Sequence, residues 1–293
     1  MIAIRTILCP VDFSAASARQ VDLAANLCRA FQAQLVLHHN LPSLAPGAGV
    51  GWMWAADHPP MSEETVRERL AALAGTRPGL KVETKITRGP TLPAVLAVSG
   101  SAAADLVVLS THNAPAEEHA SVTERVLEQT QRSVLVLHDT AAEHNALTFD
   151  LSSGHRQVTI VPTDLTPESG EAVDFAFELA RTLPLDVHLL HLLPRGRPVP
   201  FDHDHDHERA VANAERQMQA LVPRDCAAFS SVHVREGDPA HGILQVAIEL
   251  AAACIIMGEH TRAPLRRLLS RDTSRAVLHQ APCPVWYVPG QRT

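Results

Sequence analysis

Residues 201–210 read FDHDHDHERA, in which Asp202, Asp204 and Asp206 alternate with His203, His205 and His207 ahead of a Glu. Imidazoles interleaved with carboxylates form a donor set suited to Zn²⁺, and also to Ni²⁺ or Co²⁺. The spacing allows two geometries. In an extended segment His203, His205 and His207 point to one side. In a helix that opens by His203, His203 and His207 stand at i and i+4 on one face. Local residues supply two or three ligands, and His58 in AADHPP (55–60) is a candidate for another. The alternative is a solvated loop at a helix start. Its carboxylates complement the helix dipole and its imidazoles titrate near neutral pH.

The remaining candidates come in matched pairs, because the chain is written twice. RTILCPVDFSAASARQVDLAANLCRAFQAQLVLHHNLP (5–42) aligns with QVTIVPTDLTPESGEAVDFAFELARTLPLDVHLLHLLP (157–194) at an offset of 152, without a gap. Pro10 falls on Pro162, Asp12 on Asp164, Ser17 on Ser169 and His39 on His191. Later stretches match too: RGPTLPAVL (88–96) with EGDPAHGIL (236–244), pairing Gly89 with Gly237, and DLVVLSTH (105–112) with ACIIMGEH (253–260), pairing His112 with His260. Two copies of one unit of about 140 residues follow, with domains expected at 1–140 and 155–293 and a linker at 141–154.

Each copy alternates short β-rich apolar runs with helical patterns. In the first, the run ending at Pro-Val-Asp precedes a helix over about 14–31, whose Val21, Leu23, Leu27 and Phe31 lie on or near one face. Strand QLVLHH, a helix after Ser62, strand KVETKIT, a helix over 91–103, strand DLVVLS, a helix over 118–131 and strand SVLVLH complete it. Such alternation predicts an α/β fold, a parallel sheet with helices on both faces.

Composition narrows the function classes. The 293 residues carry 46% hydrophobic and 19% charged side chains, ordinary for a globular chain. A net charge of −7 argues against nucleic acid as a partner. Five dispersed cysteines without a CxxC fit a reducing compartment. No run approaches the roughly 20 apolar residues of a membrane span, and MIAIRTILCPVD reads as a strand rather than a signal peptide. A cytoplasmic location is expected, with no membrane partner.

CPVD (9–12), RGP (88–90), DLVVLS (105–110), VPTD (161–164), EGDP (236–239), IIMGEH (255–260) and APCPVWYV (281–288), in this order, resemble the universal stress protein family. The likeness spans nearly the whole chain, twice. It implies two doubly wound domains, each a five-stranded parallel sheet of order 3-2-1-4-5. It also implies an intramolecular pseudo-dimer joined through Val134-Leu135-Val136 and Val285-Trp286-Tyr287, with a homodimer as a further candidate assembly.

Some members of that family bind ATP at the strand carboxyl ends through G-x-x-G, nine residues, then G-[S/T]. Glycines let backbone N–H groups approach phosphates there. The resemblance makes Asp12, Gly89, Asp164, Gly237, Gly258 and His260 the cofactor-site candidates. The pattern is degraded in both copies. Ser110 and Asn113 stand at the first two glycine positions of copy one, with Glu117 and Glu118 nearby. Copy two keeps Gly258, but Thr261 and Arg271-Asp272 replace the rest, beside Arg262, Arg266 and Arg267. ATP and zinc are therefore the two cofactor candidates. No nucleophile has an evident activating partner, so no catalytic residue is assigned and the strand-end histidines read as satisfied polar groups. Trp52-Met53-Trp54, in the loop of copy one, either closes over a ligand or folds onto the core.

The leading expectation is a non-enzymatic ligand-binding or regulatory module of stress physiology. The alternatives are a nucleotide-binding protein with weak hydrolase activity in copy two, and a zinc-binding scaffold using the His/Asp tract.

Overall fold

The computed structural model describes residues 2–41, 61–112, 122–139, 149, 154–194, 203–259 and 271–290. The first copy runs β1 (Thr6–Pro10), α1 (Ala15–Phe31), β2 (Gln34–Leu41), α2 (Glu63–Gly75), β3 (Val82–Arg88), α3 (Thr91–Ser101), β4 (Leu106–His112), α4 (Val122–Gln129) and β5 (Ser133–Asp139). The second runs β6 (Gln157–Pro162), α5 (Pro167–Ala180), β7 (Leu185–Leu193) and α6 (His203–Leu221). It continues with a 3₁₀ turn (Arg224–Phe229), β8 (Ser230–Glu236), α7 (Pro239–Glu249), β9 (Cys254–Glu259), α8 (Arg271–Gln280) and β10 (Val285–Pro289).

The chain forms two compact units. One comprises Ala3–Ser110 and Pro115–Arg132; the other comprises Met1–Ile2, Thr111–Ala114 and Ser133–Thr293. In the first, β2 lies between β3 and β1, and β1 pairs onward with β4, all parallel. The second unit repeats that pattern and completes it, in the order β8-β7-β6-β9-β10, which is the expected 3-2-1-4-5. This unit also takes in β5, the last strand of the first copy. β5 runs antiparallel to β10, with Val136 opposite Val285, Leu135 opposite Trp286 and Val134 opposite Tyr287. The pairing removes an open edge from β10. Trp286 is fully buried beneath it, edge-on to Phe175 with ring centroids 5.4 Å apart.

Local sequence explains the helix starts. Ser14, Ser62, Thr166 and Asp238 each accept a backbone N–H three residues on, satisfying one of the orphan donors of a first helical turn. Pro167 and Pro239 occupy first-turn positions where no N–H is needed. The fourth helix of copy one covers Val122–Gln129 among the described residues and ends before the expected 131. Of the two geometries open to the His/Asp tract, α6 takes the helical one. It opens at His203, so residues 203–207 of the His/Asp tract are helical rather than extended. Aspartates ahead of Ala-rich, Leu-containing sequence favour that outcome, because negative charge stabilises the positive end of a helix.

All five cysteines are free and buried. Burial pushes the Cys28 and Cys283 thiols up to about 12, so neither supplies a thiolate near neutral pH. Among the described residues, no helix is long and apolar enough to cross a membrane. Trp52, Met53, Trp54, His58, His260 and almost all of the expected linker lie outside the described residues, as do residues 113–121 and 261–270 of the two phosphate-loop stretches.

Candidate functional site

In open α/β sheets the crevice for a ligand forms where strand order reverses, outside the strand carboxyl ends. That point falls between β1 and β4 in the first copy and between β6 and β9 in the second. Asp12 and Asp164 stand just past β1 and β6 at these places.

Each carboxylate holds its own turn. Asp12 Oδ1 accepts the Ser14 N–H at 2.9 Å and the Ser17 hydroxyl at 2.5 Å, while the Asp12 N–H donates to Ser17 Oγ at 2.9 Å. Asp164 Oδ1 accepts the Thr166 N–H at 3.1 Å and the Thr166 hydroxyl at 2.6 Å. The residue after each Asp is left-handed, with φ of 64° at Phe13 and 61° at Leu165. A bulky residue pays for that conformation. The carboxylate-to-N–H bridge spanning it is what keeps both turns in place.

His39 and His191 flank the turns from β2 and β7. Their Nδ1 atoms lie 2.7 Å from the Val11 carbonyl oxygen and 2.8 Å from that of Thr163. A carbonyl can only accept, so Nδ1 carries the ring proton in both. Burial lowers the His39 pKa, which keeps that ring neutral. These histidines tie the first and second strands of each copy together, as the satisfied-polar reading expects.

The two crevices then diverge. In the first copy Gln20 reaches from α1 into the gap between β1 and β4. Its Nε2 donates to the carbonyl oxygens of Pro10 at 2.7 Å and Val108 at 2.6 Å, and its Oε1 accepts the Ser110 hydroxyl at 3.0 Å. Only 2% of Gln20 is exposed. One side chain thus clasps both strand ends at the switch point. The offset of 152 places Ala172 where Gln20 stands, and the later alignment places Gly258 where Ser110 stands. Both are buried, and neither can form the clasp. Sequence reasoning missed Gln20, although an amide next to Val21 on an apolar helix, aligned with Ala, was the available signal.

A second buried polar group is confined to the first copy. His38 Nε2 lies 2.7 Å from Thr87 Oγ1; that hydroxyl donates to Asn40 Oδ1 at 2.9 Å, and Asn40 Nδ2 donates to the Gly89 carbonyl at 2.8 Å. Because the Thr87 proton is committed to Asn40, Nε2 must be the donor. Nδ1 is left buried without a partner. Burial first, then the neighbouring His39 and Lys85, lower the His38 pKa to about 4. Its counterpart in the second copy is Leu190.

Gly89 and Gly237 occupy the turns from β3 into α3 and from β8 into α7, with φ of 124° and 142°. Their N–H groups donate to the Leu41 and Leu193 carbonyls at 3.1 Å and 3.0 Å, extending the pairing beyond the strands. No heavy atom lies within 4 Å of a Cβ built at either, so backbone conformation is what these positions require. They lie at the ends of the outer strands β3 and β8, whereas the two Asp lie at β1 and β6. Gly258 sits within β9 opposite Val288.

The His/Asp tract lies apart from these turns, at the start of α6. His207 Nδ1 is 2.8 Å from Glu236 Oε1 at the end of β8. The side chains of His203 and His205 lie outside the described residues. Among the described residues, no group of three or more His, Cys, Asp or Glu side chains is placed to hold a metal ion.

The universal stress protein family model matches residues 3–138 and again residues 156–289. No curated protein sequence matches the chain. A solved universal stress protein from Archaeoglobus fulgidus DSM 4304 is 16% identical over 97% of this chain and 96% of its own, with a TM-score of 0.64. A protein of unknown function from Pseudomonas aeruginosa PAO1 is also 16% identical, over 98% and 93%, with a TM-score of 0.66. A third, described as a putative universal stress protein from Pseudomonas aeruginosa UCBPP-PA14, is 16% identical over 98% and 94%, with a TM-score of 0.65. At these identities the likeness is one of fold.

Proposed function

The chain belongs to the universal stress protein family, with two family domains in tandem, and from that premise we propose a non-enzymatic ligand-binding and regulatory module whose working crevice is in the second copy. One observation carries this reading: Gln20 and Ser110 bridge the strand ends of the first crevice, while the aligned Ala172 and Gly258 of the second cannot form that bridge. A crevice already occupied by a buried side chain must break three hydrogen bonds to admit a ligand, and each buried group left unpaired costs about 1–3 kcal/mol. Ala172 and Gly258 impose no such cost on the second.

A hydrolytic role draws less support. Asp12 and Asp164 each commit Oδ1 to two local donors, and His39 and His191 commit Nδ1–H to carbonyls rather than to an orienting carboxylate. A base activated for water attack needs an orienting partner and a free nitrogen facing a nucleophile. Within this reading the first copy is a structural partner, and its β5 on β10 is the pairing expected of an intramolecular pseudo-dimer.

Equilibrium binding of labelled ATP to the intact chain, with phosphate release measured in parallel, tests the proposal. The expected result is affinity weaker than micromolar and no release above buffer. Any residual binding should reach one site per chain, fall with Gly258→Ser and persist with Ser110→Ala. Micromolar affinity that Asp164→Ala abolishes, accompanied by phosphate release, would establish the nucleotide-hydrolase alternative instead.

A further inference from the structure

We infer that His188 of β7 and His233 of β8 share one proton as a single site, and that a second proton releases β8 from the edge of the sheet. The inference is independent of the crevice assigned above. His188 Nδ1 lies 2.9 Å from His233 Nε2, with the ring planes 11° apart and the centroids separated by 5.0 Å. Centroids that distant around so short a contact place the rings edge to edge, the geometry of an N–H···N bond. One bridging proton satisfies both inner nitrogens, and neither outer nitrogen is buried without a partner. β8 ends the sheet order, so β7 is its one neighbour among the described strands.

An added proton binds an outer nitrogen, and the first one makes the bridge charge-assisted and stronger. The second leaves two N–H groups facing each other across 2.9 Å, with a cation on each strand. Burial lowers the pKa of both rings. At His233 the neighbouring His188 and then Arg235 act in the same direction, whereas Asp186 opposes the shift at His188. A folded pair that refuses a proton accepted by unfolded imidazoles loses stability as pH falls below about 6.5. The first proton is offset by the stronger bridge, so the loss falls on the second.

The surrounding charges do little to accommodate that second proton. Asp186, on the same face of β7 as His188, is already bonded to Arg156 at 3.0 Å. Arg235, on the same face of β8 as His233, adds like charge. α7 lies on this face too, since a Cβ at its Gly242 would meet Leu192. It contributes His241 and Glu249 beside Arg235, and Glu249 accepts a bond from Gln245. The 3₁₀ turn contributes Arg224 and Asp225, the latter bonded to Arg181. β6 has no charged residue. α5 and α6 make crossovers opposite in direction to that of α7, so right-handedness puts them across the sheet. Copy one aligns Val36 and Lys85 with the two histidines, and Lys85 pairs with Glu83 at 3.4 Å. The device therefore belongs to the second copy.

Titration of the histidine rings by NMR in the full-length chain, with amide hydrogen exchange of β8 and β6 followed as pH is lowered from neutral, tests this. The two rings should titrate together in two steps, because a coupling above about one pK unit divides the transitions. Across the second step, exchange in β8, corrected for its intrinsic pH dependence, should rise about tenfold more than in β6, the factor that one pK unit represents. His233→Gln keeps a neutral hydrogen-bonding side chain. It should retain β8 protection at neutral pH, lose the acid rise and leave His188 with a single step. His188→Val, the residue of copy one, should likewise remove the acid rise. Two independent single steps in the wild-type chain would overturn the inference. So would a rise in β8 no larger than that in β6, or an acid rise that survives in His233→Gln.

Discussion

The two switch-point crevices descend from the same sequence pattern and are built differently. Both have an Asp that bridges a left-handed residue and a strand-end histidine donating to the carbonyl before that Asp. Only the first has a buried glutamine joining β1 to β4, and only the first buries His38 beneath Thr87. The second substitutes Ala172, Gly258 and Leu190 at the aligned places. A duplicated fold keeps what the turn needs and lets polar groups between the strands vary. Those groups decide whether the strands at the switch point are bridged.

The largest effect should come from breaking the clasp. Gln20→Leu keeps the bulk but strips two buried carbonyls of a donor and Ser110 of an acceptor, so the expected loss is about 2–4 kcal/mol in urea unfolding. The reciprocal Ala172→Gln adds volume at a fully buried position and should cost about 1–3 kcal/mol. If Gln20→Leu changes stability by less than Ala172→Gln, the clasp does not distinguish the copies.

The next contrast is acid sensitivity. His38 has a folded pKa of about 4, below the roughly 6.5 of an exposed imidazole. Between these values the unfolded chain binds a proton that the folded chain refuses, so stability falls as pH drops below about 6.5 and levels off below about 4. His38→Leu installs the residue of the second copy and should reduce the slope of unfolding midpoint against pH across that window. It should not remove the slope entirely. His188 and His233 in the second unit, 2.9 Å apart, also have lowered pKa values caused first by burial, and they contribute with the same sign. An unchanged slope in His38→Leu would place the acid response wholly elsewhere.

The smallest effects belong to the caps. Ser14→Ala removes one bond to the Ser17 N–H and should cost about 1 kcal/mol. Thr166→Ala removes the bond to Ser169 N–H and the hydroxyl bond to Asp164 as well. It should cost about 2 kcal/mol, the upper end for a cap. Equal losses in thermal unfolding would mean that the Thr166–Asp164 contact contributes nothing.

Much of the architecture was legible because it depends on local pattern. The duplication at an offset of 152, the alternation of strands and helices, and the turn residues Asp12 and Asp164 are properties of residue order. The pairing of Val134–Val136 with Val285–Tyr287 was anticipated through family resemblance. Gln20 and His38 were passed over because each looks ordinary along the chain. What makes them matter is partners 88 and 49 residues away, and no periodicity records such distances. Gly89 and Gly237, which the resemblance groups with the two Asp as ligand candidates, lie at turns after the outer strands, a placement set by strand order and not by local pattern.

By itself the sequence determined two copies of an α/β unit and the chemical character of the His/Asp tract, while their strand order came from family resemblance. Hydrophobic period and turn chemistry act over a few residues, and the repeat doubled the signal. Tertiary structure decided which crevice the glutamine bridges and that His207 meets Glu236. It also decided that residues 203–207 are helical rather than extended. Each of those depends on a hydrogen bond or a helix start set by groups distant in the chain, and burial gives those contacts their energetic weight.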